Sequence, residues 1–213
     1  MNNVFIILNN LDNWKPYYET DTILTTNDYL EHRYTGDNPK LIINLTDSYS
    51  YNSEGYYCSL LGQARGHKVI PAIDTINKLE TGTGMRMSLA LQKICHQWIT
   101  KNNIKDTWHL NIYFGTCAEK GLEKIAHFIF ENYPCPLLQV TFNNSNHNQI
   151  ESILAIPLSQ LSESEQDLFA NALDNFSKKV WRVRRTTKPA RYSLAILYDP
   201  EEKFPPSDKQ AIN

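Results

Sequence analysis

Three apolar runs in the first third of the chain alternate with polar segments and predict strands. The runs NVFIILNN at residues 3–10 and KLIINLT at 40–46 are rich in β-branched residues, as buried strands are. The run HKVIPAI at residues 67–73 has the same character. The polar, tyrosine-rich stretch between the first two runs ends in the turn cluster TGDNP and predicts no regular element.

A helix is predicted between the second and third runs. Ser53 has the properties of an N-cap, Glu54 suits the positive end of the helix dipole, and Gly66 supplies a C-terminal stop. Between these signals, apolar residues recur at helical spacing: Tyr57, Leu60, Leu61 and Ala64. A strand, a helix and a strand within about 35 residues form a Rossmann-like βαβ unit, whose two strands are expected to be parallel.

The pattern then changes to mixed helices and strands, which predicts a second, α+β unit. The predicted elements are a short helix in 74–84, a helix over Arg86–Asn102, a strand at 108–115, a helix at 119–133, strands at 136–142 and 150–158, and a helix over Leu161–Val180. The fold class predicted from the whole chain is therefore α/β, with a mixed or parallel sheet in the βαβ unit and a separate α+β unit.

The C-terminal residues predict the beginning of another unit. The run RYSLAILYDP at residues 191–200 has the pattern of a buried strand, and PPSDKQAI at 205–212 carries a helix start signal at Ser207. A strand followed by the first turn of a helix leads us to expect that the natural protein is longer.

Composition and charge narrow the classes of partner. The 213 residues are 41% apolar and carry a formal net charge of −2, which gives no general attraction to nucleic acid or to anionic lipid. No apolar run approaches the roughly 20 residues of a membrane span, so we expect no membrane partner. Four well-separated cysteines, with no C-x-x-C pairing, favour reduced thiols, a cytoplasmic location and no metal site: Cys58, Cys95, Cys117 and Cys135.

A tyrosine-rich segment after the second predicted strand is the main candidate for ligand binding. In a parallel α/β sheet, ligands bind beyond the carboxyl ends of the strands, where hydroxyl groups here can meet an anionic or peptide-like group. The candidate ligand-binding residues are Ser48, Tyr49, Tyr51, Ser53, Tyr56, Tyr57, Arg65 and His67. The alternative is structural, because tyrosines often pack at the rim of a sheet and a cation often stabilises a helix C-terminus.

Two further patterns offer weaker chemistry. Cys117 follows a predicted strand and precedes a helix, where a thiolate can be stabilised, and His109, His127 or His147 are candidate bases. The alternative is that this cysteine is a small packing residue. The segment TGTGMR at 81–86 matches neither common phosphate-binding pattern, so a turn is predicted there.

A basic stretch near the C-terminus is the candidate contact for an acidic partner. Its cationic residues are Lys178, Lys179, Arg182, Arg184, Arg185, Lys188 and Arg191. With Trp181 among them, they suit a contact with RNA or a ribosomal protein through phosphate attraction and stacking. The alternatives are a solvated connector or a surface that docks an acidic neighbouring domain, and these make nucleic acid the less favoured partner.

Three ordered blocks of the chain resemble a known family. The segment LIINLTDSYSYNSEGYYCSLLGQARGHKVIPAIDTI at 41–76, then IYFG with FIFENYPCPLLQVTF, and finally RYSLAILYDPEEKFPPSDKQAI at 191–212 are similar to the N-terminal domain that precedes RimK-like ATP-grasp ligases. Asp47 and Ser50 depart from the family pattern, in which basic residues are expected.

The resemblance implies an organisation and a function. Residues 1–180 would be the accessory domain, with the βαβ part at about 1–105 and the α+β part at about 106–180. Residues 181–191 would be a basic connector, and 192–213 the start of an ATP-grasp domain. The full-length protein would join a carboxylate to an amine with ATP and magnesium, whose ligands would lie outside this chain.

The resemblance also implies partners for this chain. We expect it to contact its own ATP-grasp domain and to select a peptide or protein acceptor, or to organise a homodimer. No residue of this chain is expected to be catalytic.

Overall fold

The computed structural model describes residues 4–11, 14, 23–31, 41–81, 85–104, 106–143 and 149–178. The strands are β1 Val4–Leu8, β2 Ile23–Thr25, β3 Leu41–Asn44, β4 Lys68–Ile70, β5 Trp108–Tyr113, β6 Leu137–Asn143 and β7 Gln149–Ala155. The helices are α1 Thr26–Leu30, α2 Glu54–Ala64, α3 Ile73–Thr81, α4 Leu89–Asn102, α5 Glu123–Asn132 and α6 Glu163–Lys178, with a 3₁₀ turn at Leu158–Gln160.

The first sheet is parallel, and its strand order is β2-β1-β3-β4. The four residues of β3 are all buried, and apolar residues covered on both faces are typical of a parallel strand. From β1 the chain moves outward to β2 and then returns to the other side of β1 to form β3. The carboxyl ends of β1 and β3 therefore meet where the strand order reverses, which is where open α/β sheets place their ligands.

The second sheet is antiparallel, with the order β5-β6-β7. Alternate residues of β5 and β6 bury one face of this sheet: Trp108, Leu110, Ile112, Leu138, Val140 and Phe142. Helices α4 and α5 cover this face, and Cys95, Ile99, Ile125 and Ile129 are the buried side chains they contribute. Sequence alternation with period two thus produces a one-sided core.

A shared apolar cluster joins the two sheets. Side chains from β1 and β3, such as Ile6 and Ile43, belong to the same buried cluster as Phe114, Phe130 and Phe176. Phe176 of α6 stacks on Phe114 with ring centroids 4.7 Å apart and meets Phe130 edge-on at 6.0 Å. Helix α6 therefore fills the space between the parallel and antiparallel parts.

The predicted fold class is confirmed, with a parallel βαβ sheet and a separate antiparallel unit. Two short elements inside the polar N-terminal stretch were missed, because β2 and α1 have only three and five residues. Helix α4 begins after the cap Ser88 rather than at Arg86, and the last helix ends its described part at Lys178. The predicted strand at 191–200 and helix start at Ser207 lie outside the described residues.

Candidate ligand-binding site

Asn44, the last residue of β3, organises the loop that follows it. Its side chain is fully buried and donates to the carbonyl of Gly55 at 2.7 Å and to Ser59 Oγ at 2.9 Å. Its amide oxygen accepts from the Thr46 hydroxyl at 2.8 Å. Its backbone carbonyl accepts from the Tyr49 hydroxyl at 2.6 Å. One buried amide thus ties the strand end, the loop and helix α2 together.

Helix α2 approaches this loop so closely that only glycine fits at its second residue. A Cβ atom at Gly55 would lie 2.0 Å from Thr46 Oγ1 and 2.3 Å from the Ser48 carbonyl oxygen. Ser53 caps the helix as predicted, accepting the backbone N–H of Tyr56 at 3.1 Å and donating to the Ser48 carbonyl at 3.0 Å. The loop and the helix N-terminus therefore form one rigid unit.

A carboxylate lies where the strand order reverses. Glu54 Oε2 accepts from Asn9 Nδ2 at 2.9 Å and from Thr26 Oγ1 at 2.7 Å. Asn9 also accepts the backbone N–H of Asp47 at 2.8 Å. An anion that approached the N-terminus of α2 would be repelled by this carboxylate. The arrangement therefore favours a neutral or cationic group over the anionic group that the tyrosine-rich segment suggested.

Sequence reasoning missed Asn9, Thr26 and Asn44. All three stand at the carboxyl end of a parallel strand or one residue beyond it, β1, β2 and β3 in turn. That position is itself the signal that could have found Asn9 and Asn44. Thr26 could not be found in this way because β2 was not predicted.

The tyrosines of the predicted site have different surroundings. Tyr49 is half-buried, and burial, with Cys135 and Asp47 adding to it, raises the pKa of its hydroxyl well above the usual value. Tyr51 is 66% exposed and meets Tyr56 edge-on at 5.3 Å. Tyr56 in turn meets Tyr57, whose hydroxyl donates to Asn52 at 3.0 Å. Only the hydroxyl of Tyr49 is held by the buried framework, while the other three rings form a surface cluster.

Arg65 and His67 lie at the opposite end of α2, about 16 Å away for a helix of 11 residues. Arg65 donates to the carbonyls of Tyr29 and Leu30 at 2.8 and 3.1 Å. His67 Nδ1 is 2.9 Å from the Tyr29 hydroxyl. These contacts fasten α1 to α2, so the structure does not bring these two residues together with the tyrosine-rich loop.

Residues 47–50 of the tyrosine-rich loop line a cavity of about 210 Å³. Its walls are Asp47, Ser48, Tyr49, Ser50, Ile76, Leu79, Glu80, Ile153, Leu154, Ala155 and Ile156. Three separate elements therefore meet here: the loop after β3, one face of α3, and β7. Ser48 and Tyr49 are the two predicted site residues that line it.

The environment of Cys117 does not favour a nucleophilic thiolate. Burial and the nearby Glu119 carboxylate raise the pKa of the Cys117 thiol to about 12. Helix α5 begins only at Glu123. His109 Nδ1 lies 3.1 Å from Thr141 Oγ1, His127 Nε2 lies 3.3 Å from Glu131 Oε1, and His147 is outside the described residues.

Of the predicted basic contact, the structure describes Lys178 alone. Its ammonium group pairs with Asp174 one helical turn earlier. The remaining residues of the cluster, Lys179, Arg182, Arg184, Arg185, Lys188 and Arg191, lie outside the described part. The RNA or ribosomal contact, and its connector alternative, therefore stay predictions.

A model of one protein family matches the chain over residues 26–172, more than half of its length. The family is described as the RimK-like ATPgrasp N-terminal domain. The chain belongs to this family. A search of the curated proteins and a search of the solved structures each returned no match.

Family membership raises the question of whether this RimK-like N-terminal domain could hold ATP or magnesium. Among the described residues, no three His, Cys, Asp or Glu side chains are grouped to hold a metal ion. None of the described helices is both long and apolar enough to cross a membrane.

Proposed function

We propose that this domain serves an ATP-grasp carboxylate–amine ligase as a non-catalytic accessory domain that selects or presents the acceptor. The observation that carries the proposal is the family match over residues 26–172. Under this proposal ATP and magnesium bind to the ATP-grasp portion of the ligase. The partners of the present chain are that portion and a peptide or protein acceptor. A homodimer organised by this domain is the second form that the accessory role can take.

The geometry gives the accessory role a physical basis. The loop after β3 is held by Asn44 and by the close approach at Gly55, so its shape is set before any ligand arrives. A preformed surface loses little conformational entropy on binding, which suits a part that selects a substrate. Burial raises the pKa of each of the four cysteine thiols, which disfavours the thiolate form that a nucleophilic cysteine needs.

The purified 213-residue chain tests the non-catalytic part of the proposal. We expect no magnesium-dependent release of ADP or phosphate from ATP, measured with a coupled assay over hours. Magnesium-dependent turnover that copurifies with the chain would contradict the proposal. If Cys117→Ala abolished that turnover, the thiol would be identified as a catalytic group.

The mass of the natural protein tests the link to the ligase. We expect an antibody against this domain to detect, in source cells, a band well above 24.6 kDa or a complex that contains an ATP-grasp ligase. A band at that mass, with no such ligase in the complex, would instead favour an independent binding module.

A further inference from the structure

The 210 Å³ cavity is lined along one side by the C-terminal part of a strand. Four consecutive residues of that wall, 153–156, come from β7 and the residue after it. Successive side chains of a strand point to opposite faces, so four residues in a row line the cavity through the edge or the C-terminal end of β7 rather than through one face. Among the described strands, β7 lies at the end of the order β5-β6-β7 and pairs with β6 on one side.

The register shows which backbone groups of β7 point away from β6. Ile156 donates its N–H to the carbonyl of Leu137, and Ile153 and Ala155 stand opposite Val140 and Leu138. In an antiparallel pair, alternate residues exchange hydrogen bonds with the neighbouring strand. Leu154 therefore exchanges hydrogen bonds with β6, as Ile156 does. The N–H and C=O groups of Ile153 and Ala155 point away from β6, towards an edge that no described strand occupies.

The opposite wall supplies apolar contacts and negative charge. Ile76, Leu79 and Glu80 lie on one face of α3, and the loop residues 47–50 complete the wall. Asp47 and Glu80 are the charged residues that line the cavity, and both are exposed. A cavity of about 210 Å³ is smaller than the roughly 300–1,000 Å³ of drug-sized sites. It therefore suits one side chain rather than a whole small molecule.

We propose that this cavity binds an extended peptide, which adds a strand to the free edge of β7 and places a lysine side chain between Asp47 and Glu80. The peptide backbone exchanges hydrogen bonds with Ile153 and Ala155, as in other complexes that extend a sheet. The four edge residues span about 13 Å, the length of four extended peptide residues. The methylene stem of the lysine packs on Ile76 and Leu79, and its ammonium group meets the carboxylates.

The proposal stands independently of the accessory role, because it rests on the cavity and the strand edge alone. The chain can fail to bind the peptide and still be inert towards ATP. It can also bind the peptide and yet hydrolyse ATP. The two proposals therefore fail in distinguishable ways.

The probe is the peptide TVKVT-amide with fluorescein on its N-terminal amine, which leaves the lysine ammonium group free. We expect saturable binding to the 213-residue chain by fluorescence anisotropy, with NMR shifts concentrated at residues 47–50 and 153–156. A peptide with glutamate in place of lysine should bind at least about tenfold more weakly, because repulsion replaces attraction. Two further peptides are N-methylated, one at both valines and one at the lysine and the C-terminal threonine. The one whose methyl groups face β7 should lose about tenfold, because it cannot pair with the strand edge.

Protein variants locate the two kinds of contact. Glu80→Gln and Asp47→Asn should each weaken binding about two- to fivefold, as expected for exposed charge pairs. Glu163→Gln and Asp167→Asn, two exposed acids of α6, change the net charge equally and should leave binding unchanged. Ala155→Pro removes the outward N–H, and a circular dichroism spectrum matching wild type would show that this variant is folded.

Several results would overturn the proposal. Equal binding of both N-methylated peptides would exclude strand pairing, and equal binding of acetyl-lysine amide would reduce the site to a cation pocket. Unchanged affinity in Glu80→Gln and Asp47→Asn would remove the charge recognition. NMR shifts of β7 that follow protein concentration rather than peptide would identify a second copy of the chain as the occupant.

Discussion

Individual residues in this molecule carry several contacts at once, and Asn44 is the clearest case. Its amide nitrogen donates to Gly55 and Ser59 of α2, while its amide oxygen accepts a hydrogen bond from Thr46. Because Asn44 is fully buried, water cannot replace these partners when the side chain is removed.

We therefore expect Asn44→Ala to lower the free energy of unfolding by about 2–4 kcal/mol, since several buried polar groups lose their partner. Urea denaturation followed by circular dichroism measures the change. Asn77→Ala, at an exposed position of α3, is the matched control and should stay within about 0.5 kcal/mol of wild type. Equal stability of the two variants would show that the buried amide does not organise the loop.

Glu165 is a residue whose titration makes stability depend on pH. Its carboxylate accepts from the Ser162 hydroxyl at 2.6 Å, the Ser162 N–H at 2.9 Å and Asn111 Nδ2 at 2.6 Å. The Tyr113 hydroxyl donates to it at 3.0 Å. Together these hydrogen bonds lower the pKa of Glu165 from 4.5 to about 2. Its contribution to folding is therefore complete above about pH 4.5 and is lost as the pH falls towards 2.

We expect Glu165→Gln to cost about 1–2 kcal/mol at pH 7, a value reduced for the partial exposure of the group. The difference from wild type should shrink between pH 4.5 and pH 3, and urea denaturation at several pH values measures it. Glu163→Gln, two residues earlier, serves as the control. A difference that grew on acidification would have the wrong sign and would contradict the assignment.

Among the elements, helix α2 shows how local preference and tertiary contact can oppose each other. Alanine is a better helix former than glycine by about 1 kcal/mol, so helix propensity alone would favour Gly55→Ala. The close approach of Thr46 Oγ1, 2.0 Å from the position of the added Cβ, opposes it. The nearby Ser48 carbonyl belongs to the backbone and cannot rotate away.

We expect Gly55→Ala to destabilise the protein by more than about 2 kcal/mol, as overpacking does. Gly66→Ala, at the other end of the helix, meets no atom within 4 Å but has a φ of +80°, so it should cost about 1 kcal/mol. Thermal denaturation compares the two. A larger cost at Gly66 than at Gly55 would mean that the loop moves easily away from the helix.

At the scale of the whole molecule, α6 holds the two sheets against one core. Phe176 contacts Phe114 and Phe130, and the same apolar cluster continues to Ile6 and Ile43 of the parallel sheet. Loss of the Phe176 side chain should therefore destabilise both sheets rather than the antiparallel sheet alone.

We expect Phe176→Ala to cost about 3–5 kcal/mol, the usual result of deleting a buried phenyl ring. Amide hydrogen exchange should show reduced protection in both β3 and β6. Leu168→Ala, at a position 39% exposed on the same helix, should change stability by less than about 1 kcal/mol. Reduced protection confined to β6 would show that the sheets fold as separate units.

The sequence by itself determined the longer elements, the parallel βαβ unit, the caps at Ser53 and Gly66, and the family. These depend on local signals, namely hydrophobic periodicity, capping residues and motif order, which the chain carries without reference to its fold. Helix α1 and strand β2 escaped detection because three to five residues are too few to show a period.

Tertiary structure alone decided which residues form the site. The candidate residues Ser53 and Arg65 are close in sequence but lie at opposite ends of α2, whereas Asp47, Glu80 and Ala155 meet at one cavity from distant parts of the chain. Spacing along a chain is a local property, but the reversal of strand order and the meeting of a loop with an edge strand depend on long-range packing. That packing determines where a ligand can bind.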